Sequence, residues 1–250
     1  MQDLTRDAFL GGRLHIWQPR KGYRAGVDPV ILAAAVPAGP GQSVLELGCG
    51  AGTALLCLHV RVSGLDLTGL ELQPGYADLA RRNAAGNGAA LRIVTGDLSA
   101  MPPDLRARSF DHVIANPPYY RRGGTASPDT GREAALAETA SLRVWIDAAV
   151  RRLAPKGALT VIQRADRLPD LLAACDGRLG TMRLLPLTPR TGRPAELVVL
   201  RARKGGKGGF RILAPLVLHD GQSHLRDGDD YSPQARSVLR DGAALPVDWA

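Results

Sequence analysis

A chain of 250 residues, 45% hydrophobic and 22% charged, is long enough to bury a sizeable core without metal or disulfides, which excludes the disordered and collagen-like classes. Its formal net charge of +8 favours polyanions, nucleic acid above all, although only four of the 32 cations are lysines (Lys21, Lys156, Lys204, Lys207) and an Arg-, Ala- and Gly-rich chain also reflects base composition. Cys49, Cys57 and Cys175 are too scattered for a disulfide framework or a CxxC zinc site, the apolar run 30–36 is far short of the roughly 20 residues of a membrane span, and the charged first 30 residues hold no signal segment, so a cytoplasmic protein without metal is expected.

In chain order, 13–18 and 22–26 read as a small hairpin around Pro19-Arg20-Lys21-Gly22, and Asp28 reads as the cap of a helix running to Val36. From residue 43, short apolar runs at 43–47, 67–72, 91–94, 111–115 and 158–163 predict strands. They alternate with helical patterns at 53–60, 74–85, 142–153 and 167–175, the third ended by Pro155-Lys156-Gly157. This alternation predicts an α/β, Rossmann-like fold: a mostly parallel central sheet with helices on both faces. Segments 182–187 and 196–201 are joined by a link too short for a helical crossover and are expected to pair antiparallel. The loop 204–209, rich in Gly and Lys, then precedes a third extended run, 210–219, and is either a hairpin loop or a basic flap. The expected organisation is one domain over 1–250, with a hairpin and helix in 1–40, a catalytic core in 41–203, and a basic loop, extra strand and loosely held tail in 204–250.

Two motifs carry chemistry. In Val44-Leu45-Glu46-Leu47-Gly48-Cys49-Gly50-Ala51-Gly52 a buried strand runs into a Gly-rich turn and a helix, where the backbone can approach a ligand closely and free N–H groups point at it. Glu71, at the end of the second strand, is placed to accept hydrogen bonds from ribose hydroxyls. Asp97, just past the third, is placed to meet an adenine amino group or to cap a turn. The second motif, Asn116-Pro117-Pro118-Tyr119, follows the fourth strand at the edge where such sheets bind ligands. Asn116 and Pro117 can present acceptor oxygens to the two N–H bonds of a planar amine, and Tyr119 offers a face on which a flipped-out base can stack.

The pairing of Glu46-Leu47-Gly48-Cys49-Gly50-Ala51-Gly52 with Asn116-Pro117-Pro118-Tyr119 resembles the class I S-adenosylmethionine-dependent methyltransferases that act on exocyclic or amide nitrogens. With Asp7 to Gly12, Gln18-Pro19-Arg20, Gly22 to Asp28 and Ile212 to His219, the chain looks like the bacterial tRNA (adenine-N6) methyltransferase group, which acts on adenine 37 of a valine tRNA. The resemblance implies that Gly48, Gly50 and Gly52 approach the methionine part of the cofactor with Glu46 nearby, that Glu71 holds ribose and Asp97 adenine, and that Asn116 to Tyr119 form the target pocket, Asn116 also bordering the cofactor. Asp28, with Tyr23-Arg24, matches a segment that closes over the methionine end in related enzymes.

The expected reaction is direct in-line transfer of the sulfonium methyl to N6 of an adenine in a tRNA anticodon loop. RNA phosphates would be held by Arg20, Lys21 and Arg24 in front, by Arg121 and Arg122 past Tyr120, and by Arg201, Arg203, Lys204 and Lys207 late in the chain. A guanine-N2 enzyme of ribosomal RNA uses a similar Asn-Pro-Pro edge. A glutamine methyltransferase would carry a helical substrate domain ahead of the core, where only about 40 residues precede Val44. A nicotinamide oxidoreductase leaves the Asn116 motif unexplained, and a noncatalytic RNA-binding module would not turn over S-adenosylmethionine. The segment 123–138 is placed like a lid, without an assigned role.

Overall fold

The computed structural model describes residues 3–119, 141–221 and 230–249. It opens on an antiparallel hairpin of β1 (Leu4–Phe9) and β2 (Leu14–Pro19), with Leu4 opposite Pro19 and Phe9 opposite Leu14. The expected hairpin is therefore present, but the partner strand precedes 14–19 instead of following it. Gly11 and Gly12, at φ 64° and 91°, supply a reversal ahead of β2. After β2, side chains satisfy the backbone that a second strand would have paired: Arg24 donates to the Pro19 carbonyl (2.8 Å), and the Ala25 amide donates to Gln18 Oε1 (2.7 Å).

Helix α1 (Asp28–Ala34) follows, its residues from Pro29 onward all buried. Asp28 is the first helical residue, after Val27 at the N-cap, and no side chain caps the helix, so the capping role expected of Asp28 does not hold. β3 (Ser43–Leu47), α2 (Thr53–Arg61), β4 (Asp66–Glu71), α3 (Pro74–Gly86), β5 (Leu91–Thr95) and β6 (Phe110–Ala115) follow close to the predicted positions, with a short helix α4 (Pro103–Arg106), not predicted, ahead of β6. Helix α5 (Leu142–Arg152) passes straight into β7 (Leu153–Arg164). The predicted stop at 155–157 lies inside that strand as a bulge, where Lys156 has φ 64° and the register jumps from Phe110 opposite Leu153 to His112 opposite Ala158.

α6 (Leu168–Ala174), β8 (Leu179–Thr188), β9 (Leu197–Lys204), and the two-residue strands β10 (Arg211–Ile212) and β11 (Leu216–Val217) complete the sheet. Among the described residues it has nine strands in the order β10-β8-β9-β7-β6-β3-β4-β5, with β11 also on β8. Only β9 runs against its neighbours, antiparallel to β7 and β8, so the predicted antiparallel pair is present. The third run pairs in parallel with β8, not as a hairpin with β9. The Gly/Lys loop is pinned to the start of β8 instead, through Gly205 N to Arg178 O (2.9 Å) and Thr181 N to Gly208 O (3.0 Å).

Alternate strand residues sort into two cores. Val44, Ile114, Ile162 and Val199 pack against α1 and α2, while Leu45, Leu47, Val113 and Val161 pack against α5. The tail expected to be loose contains helix α7 (Pro233–Asp241), which buries Ala235, Val238 and Leu239 on the first core. Ser232 Oγ caps it by accepting from the Ala235 amide (3.1 Å), and Gly242 at φ 63° ends it. No helix among the described residues is long and apolar enough to cross a membrane.

Candidate active site

β3 and β6 are parallel neighbours with Leu47 beside Ala115, so Gly48 and Asn116 leave the sheet side by side at its carboxyl edge. From β3 the chain builds one way to β4 and β5, then returns to β6 and β7 on the other side. This reversal of strand order opens a crevice. A cleft of about 560 Å³ lies there, lined by Glu46, Gly48, Gly50, Glu71, Asp97 and Asn116 to Tyr119, which brings together the expected cofactor and target residues except Gly52 and Asp28, neither of which lines it.

Gly48, Gly50 and Gly52 stand at φ 65°, 54° and 84°, as a turn this tight requires. At Gly48 space is a second constraint, since a Cβ there would come within 2.5 Å of the Trp145 ring. Trp145, on α5, lines the cleft with its Nε1 buried and unpartnered. The sequence reading placed α5 but missed this residue, because a single Trp on an amphipathic helix reads as core.

Glu71 holds the turn in place, its two carboxylate oxygens accepting from the Gly50 amide (2.8 Å) and the Gln73 amide (2.9 Å). Burial pushes its carboxyl up against the opposing pull of those amides. Glu46 is almost fully buried and its Oε2 has no hydrogen-bond partner. Burial carries its carboxyl well above the usual range, with a contribution from the charge of Glu71, although a hydrogen bond from the Leu55 amide acts the other way. Asp97 accepts from the Ser99 amide (2.8 Å), which makes it the cap of that turn, and it also lines the cleft.

At the second motif, Asn116 Nδ2 donates to the Tyr23 hydroxyl (3.3 Å) while Asn116 Oδ1 is buried without a partner. The Pro117 carbonyl accepts one bond, from Gln163 Nε2 at 3.3 Å. Tyr119 donates its hydroxyl to the Asp28 carboxylate, which accounts for Asp28 in place of a helix cap. Gln163 escaped the sequence reading because its strand position says nothing of the turn it supports.

The expected phosphate contacts divide. Arg20 and Lys21 are exposed next to cleft-lining Gly22 and Tyr23, Arg20 in a solvated pair with Asp3. Arg24 is committed to the hairpin through Asp7 (2.7 Å) and Thr5 (2.8 Å). Arg201 is buried in the sheet with its guanidinium 4.6 Å from the Trp249 ring centre, and Lys204 donates to the Leu153 carbonyl (2.6 Å), so neither is a surface contact. Arg203 and Lys207 are exposed. Arg203, opposite Ala158 near the bulge of β7, lies toward the strand's far end from the cleft. Arg121, Arg122 and the 123–138 segment lie outside the described residues.

Residues 44–157 match the model of a methyltransferase domain. A tRNA1(Val) (adenine(37)-N6)-methyltransferase from Porphyromonas gingivalis is 35% identical over 191 residues, covering 72% of this chain and 74% of that protein. Another from Dickeya chrysanthemi is 28% identical over 243 residues, covering 95% and 94%. Among solved structures, an Agrobacterium tumefaciens protein described as a predicted O-methyltransferase superposes with a TM-score of 0.71 at 26% identity, over 87% of this chain and 97% of that one. A Gly-rich turn and an Asn-Pro-Pro-Tyr edge at the reversal of a parallel sheet, together with identity of this extent, place the chain in the S-adenosylmethionine-dependent tRNA1(Val) (adenine(37)-N6)-methyltransferase family.

Proposed function

We propose that this chain methylates the exocyclic N6 of an adenine in the anticodon loop of a tRNA. The observation that carries the reading is the unpartnered, buried Oδ1 of Asn116, held beside the glycine turn. A buried acceptor without a donor costs about 1–3 kcal/mol, a cost that an incoming N–H relieves.

The cleft fits the cofactor by its chemistry. Two buried carboxyls, one with an orphaned oxygen, suit a ligand that carries positive charge, and a turn of three glycines suits close backbone approach. Gly48, Gly50 and Gly52 with Glu46 would hold its methionine part, Glu71 its ribose and Asp97 its adenine. When bound, S-adenosylmethionine supplies a methyl group on a cationic sulfur, open to attack by a neutral nitrogen.

Asn116 Oδ1 and the second lone pair of the Pro117 carbonyl accept from the two N–H bonds of the target amine. They aim its nitrogen across the cleft and favour the positive charge that develops there. Pro118 removes an N–H and stiffens the turn, and the Tyr119 ring supplies a stacking face worth about 1–3 kcal/mol. The proton leaves to solvent once nitrogen is cationic, so no general base is needed. Arg20 and Lys21 at the mouth, with Arg121 and Arg122 next to the motif in sequence, are the proposed phosphate contacts.

The test is to incubate the protein with methyl-labelled S-adenosylmethionine and, separately, unmodified tRNA, ribosomal RNA and a release factor, then identify the labelled product by mass spectrometry. N6-methyladenosine confined to tRNA is the expected result. N2-methylguanosine or methylglutamine, or no transfer at all, overturns the assignment.

A further inference from the structure

Two contacts tie the segment from Tyr23 to the first residue of α1 to the target edge, and a third anchors that segment on α3. Tyr119 donates to the Asp28 carboxylate, Asn116 Nδ2 donates to the Tyr23 hydroxyl at 3.3 Å, and the Tyr76 hydroxyl holds the Tyr23 backbone carbonyl at 3.0 Å. The Tyr23 ring also stands over the cofactor turn, where a Cβ on Gly50 would meet it at 3.7 Å. One short segment therefore touches the glycine turn and both polar ends of the Asn-Pro-Pro-Tyr motif.

The two contacts at the target edge each remove a freedom that the transfer cannot tolerate. The Asn116 side chain can turn about χ1 and χ2; the bond from Nδ2 to the Tyr23 hydroxyl holds the plane of the amide, and in this arrangement Oδ1 is the atom found without a partner. A tyrosine ring beside an open cleft turns about χ1 and χ2, and a bond at its hydroxyl fixes its plane.

We propose that Tyr23 and Asp28 are positioning residues for the methyl transfer, Tyr23 holding the plane of the Asn116 amide beside the target amine and Asp28 fixing the Tyr119 ring as the stacking face. Neither touches the reacting atoms. This inference rests on the reading of Asn116 to Tyr119 as the target pocket.

The experiment compares wild type with Asp28→Ala, Asp28→Asn, Tyr119→Phe, Tyr23→Phe and the Asp28→Ala/Tyr119→Phe double variant. It measures kcat and KM on unmodified tRNA, S-adenosylmethionine affinity by calorimetry, and melting temperature. Asp28→Ala, Tyr119→Phe and Tyr23→Phe are each expected to lower kcat about tenfold, with cofactor affinity held within about twofold. Asp28→Asn keeps an acceptor oxygen and is expected to recover most of the loss. The double variant is expected to be no slower than Asp28→Ala, because both changes remove one bond. A tRNA carrying 2-aminopurine at the target position gives a readout without turnover: its fluorescence is expected to be quenched by wild type and brighter with Asp28→Ala. Unchanged kcat in Asp28→Ala and Tyr23→Phe, additive losses in the double variant, or losses confined to cofactor affinity overturn the inference. Wild type failing to transfer methyl to adenine overturns the pocket reading itself, whereas active wild type with unaffected variants overturns only the positioning roles.

Discussion

Asn116 and Glu71 show how single atoms set the behaviour of this cleft. Replacing Asn116 with Ala removes the orphaned acceptor while leaving the glycine turn alone. Turnover is expected to fall about 100-fold, the scale seen when one preorganised hydrogen-bonding group is lost, with cofactor affinity by calorimetry nearly unchanged. Glu71→Gln tests the other side. Both Glu71 oxygens accept from backbone amides, so a carboxamide must set its NH₂ against one of them. Cofactor affinity is expected to fall at least about tenfold for a lost charge-assisted hydrogen bond, and an affinity equal to wild type would remove Glu71 from the binding role. Glu46, Glu71 and the glycines were legible as residue types at fixed places on a strand-turn-helix pattern. Trp145 against Gly48 was not, because its contact depends on how α5 packs over the end of β3.

Among elements, α7 carries the clearest start and stop signals. Ser232-Pro233 is an N-cap followed by a first-turn proline, Ala235, Val238 and Leu239 repeat on one face, and Gly242 ends the helix. These signals were present in the sequence but lie in a stretch rich in Asp, Arg and Gly that reads as a loosely held tail. Ser232 Oγ also donates to the Val217 carbonyl in β11 (2.7 Å), so it joins the helix to the sheet edge. Ser232→Ala is expected to cost about 1–2 kcal/mol, read as a shift in the urea midpoint at constant slope. The opening hairpin and the α5–β7 junction differ from the sequence expectation for a related reason. Local turn chemistry at 19–22 and 155–157 marks a bend, but the neighbouring strand decides whether that bend becomes a loop, a bulge or a hairpin.

Over the whole molecule, the burial of His112 makes stability depend on pH. His112 is buried, with Nε2 3.1 Å from Gln42 Oε1. Burial, with help from Arg201, Arg203 and Arg61 and against the pull of Asp111, lowers its pKa from 6.5 to about 4. The fold thus favours the neutral ring, so its contribution is fully present above about pH 6.5, declines as pH falls, and is lost once pH passes below about 4. Up to about 3 kcal/mol is at stake, at 1.36 kcal/mol per unit. Denaturation at pH 7, 5.5 and 4 is expected to show this decline in wild type and a flatter profile in His112→Asn; equal slopes would exclude His112 as the source. The net charge of +8 makes a second prediction at this scale. The tRNA dissociation constant is expected to rise steeply between about 50 and 200 mM salt, and Arg121→Ala/Arg122→Ala to weaken binding and flatten the slope. Salt-independent affinity would contradict phosphate contacts.

By itself the sequence determined the α/β alternation, the positions of five core strands, the glycine turn and the Asn-Pro-Pro-Tyr edge. Hydrophobic period and turn chemistry act over a few residues and need no distant partner. Only the tertiary structure decided that β3 and β6 lie side by side, that Tyr119 reaches an aspartate 91 positions earlier, that Arg201 is buried in the sheet, and that Arg24 and Lys204 make contacts within the fold. Contacts between residues so far apart leave no periodic trace in the chain, and the free energy of packing and hydrogen bonding across the sheet selects among partners that the sequence leaves equally open.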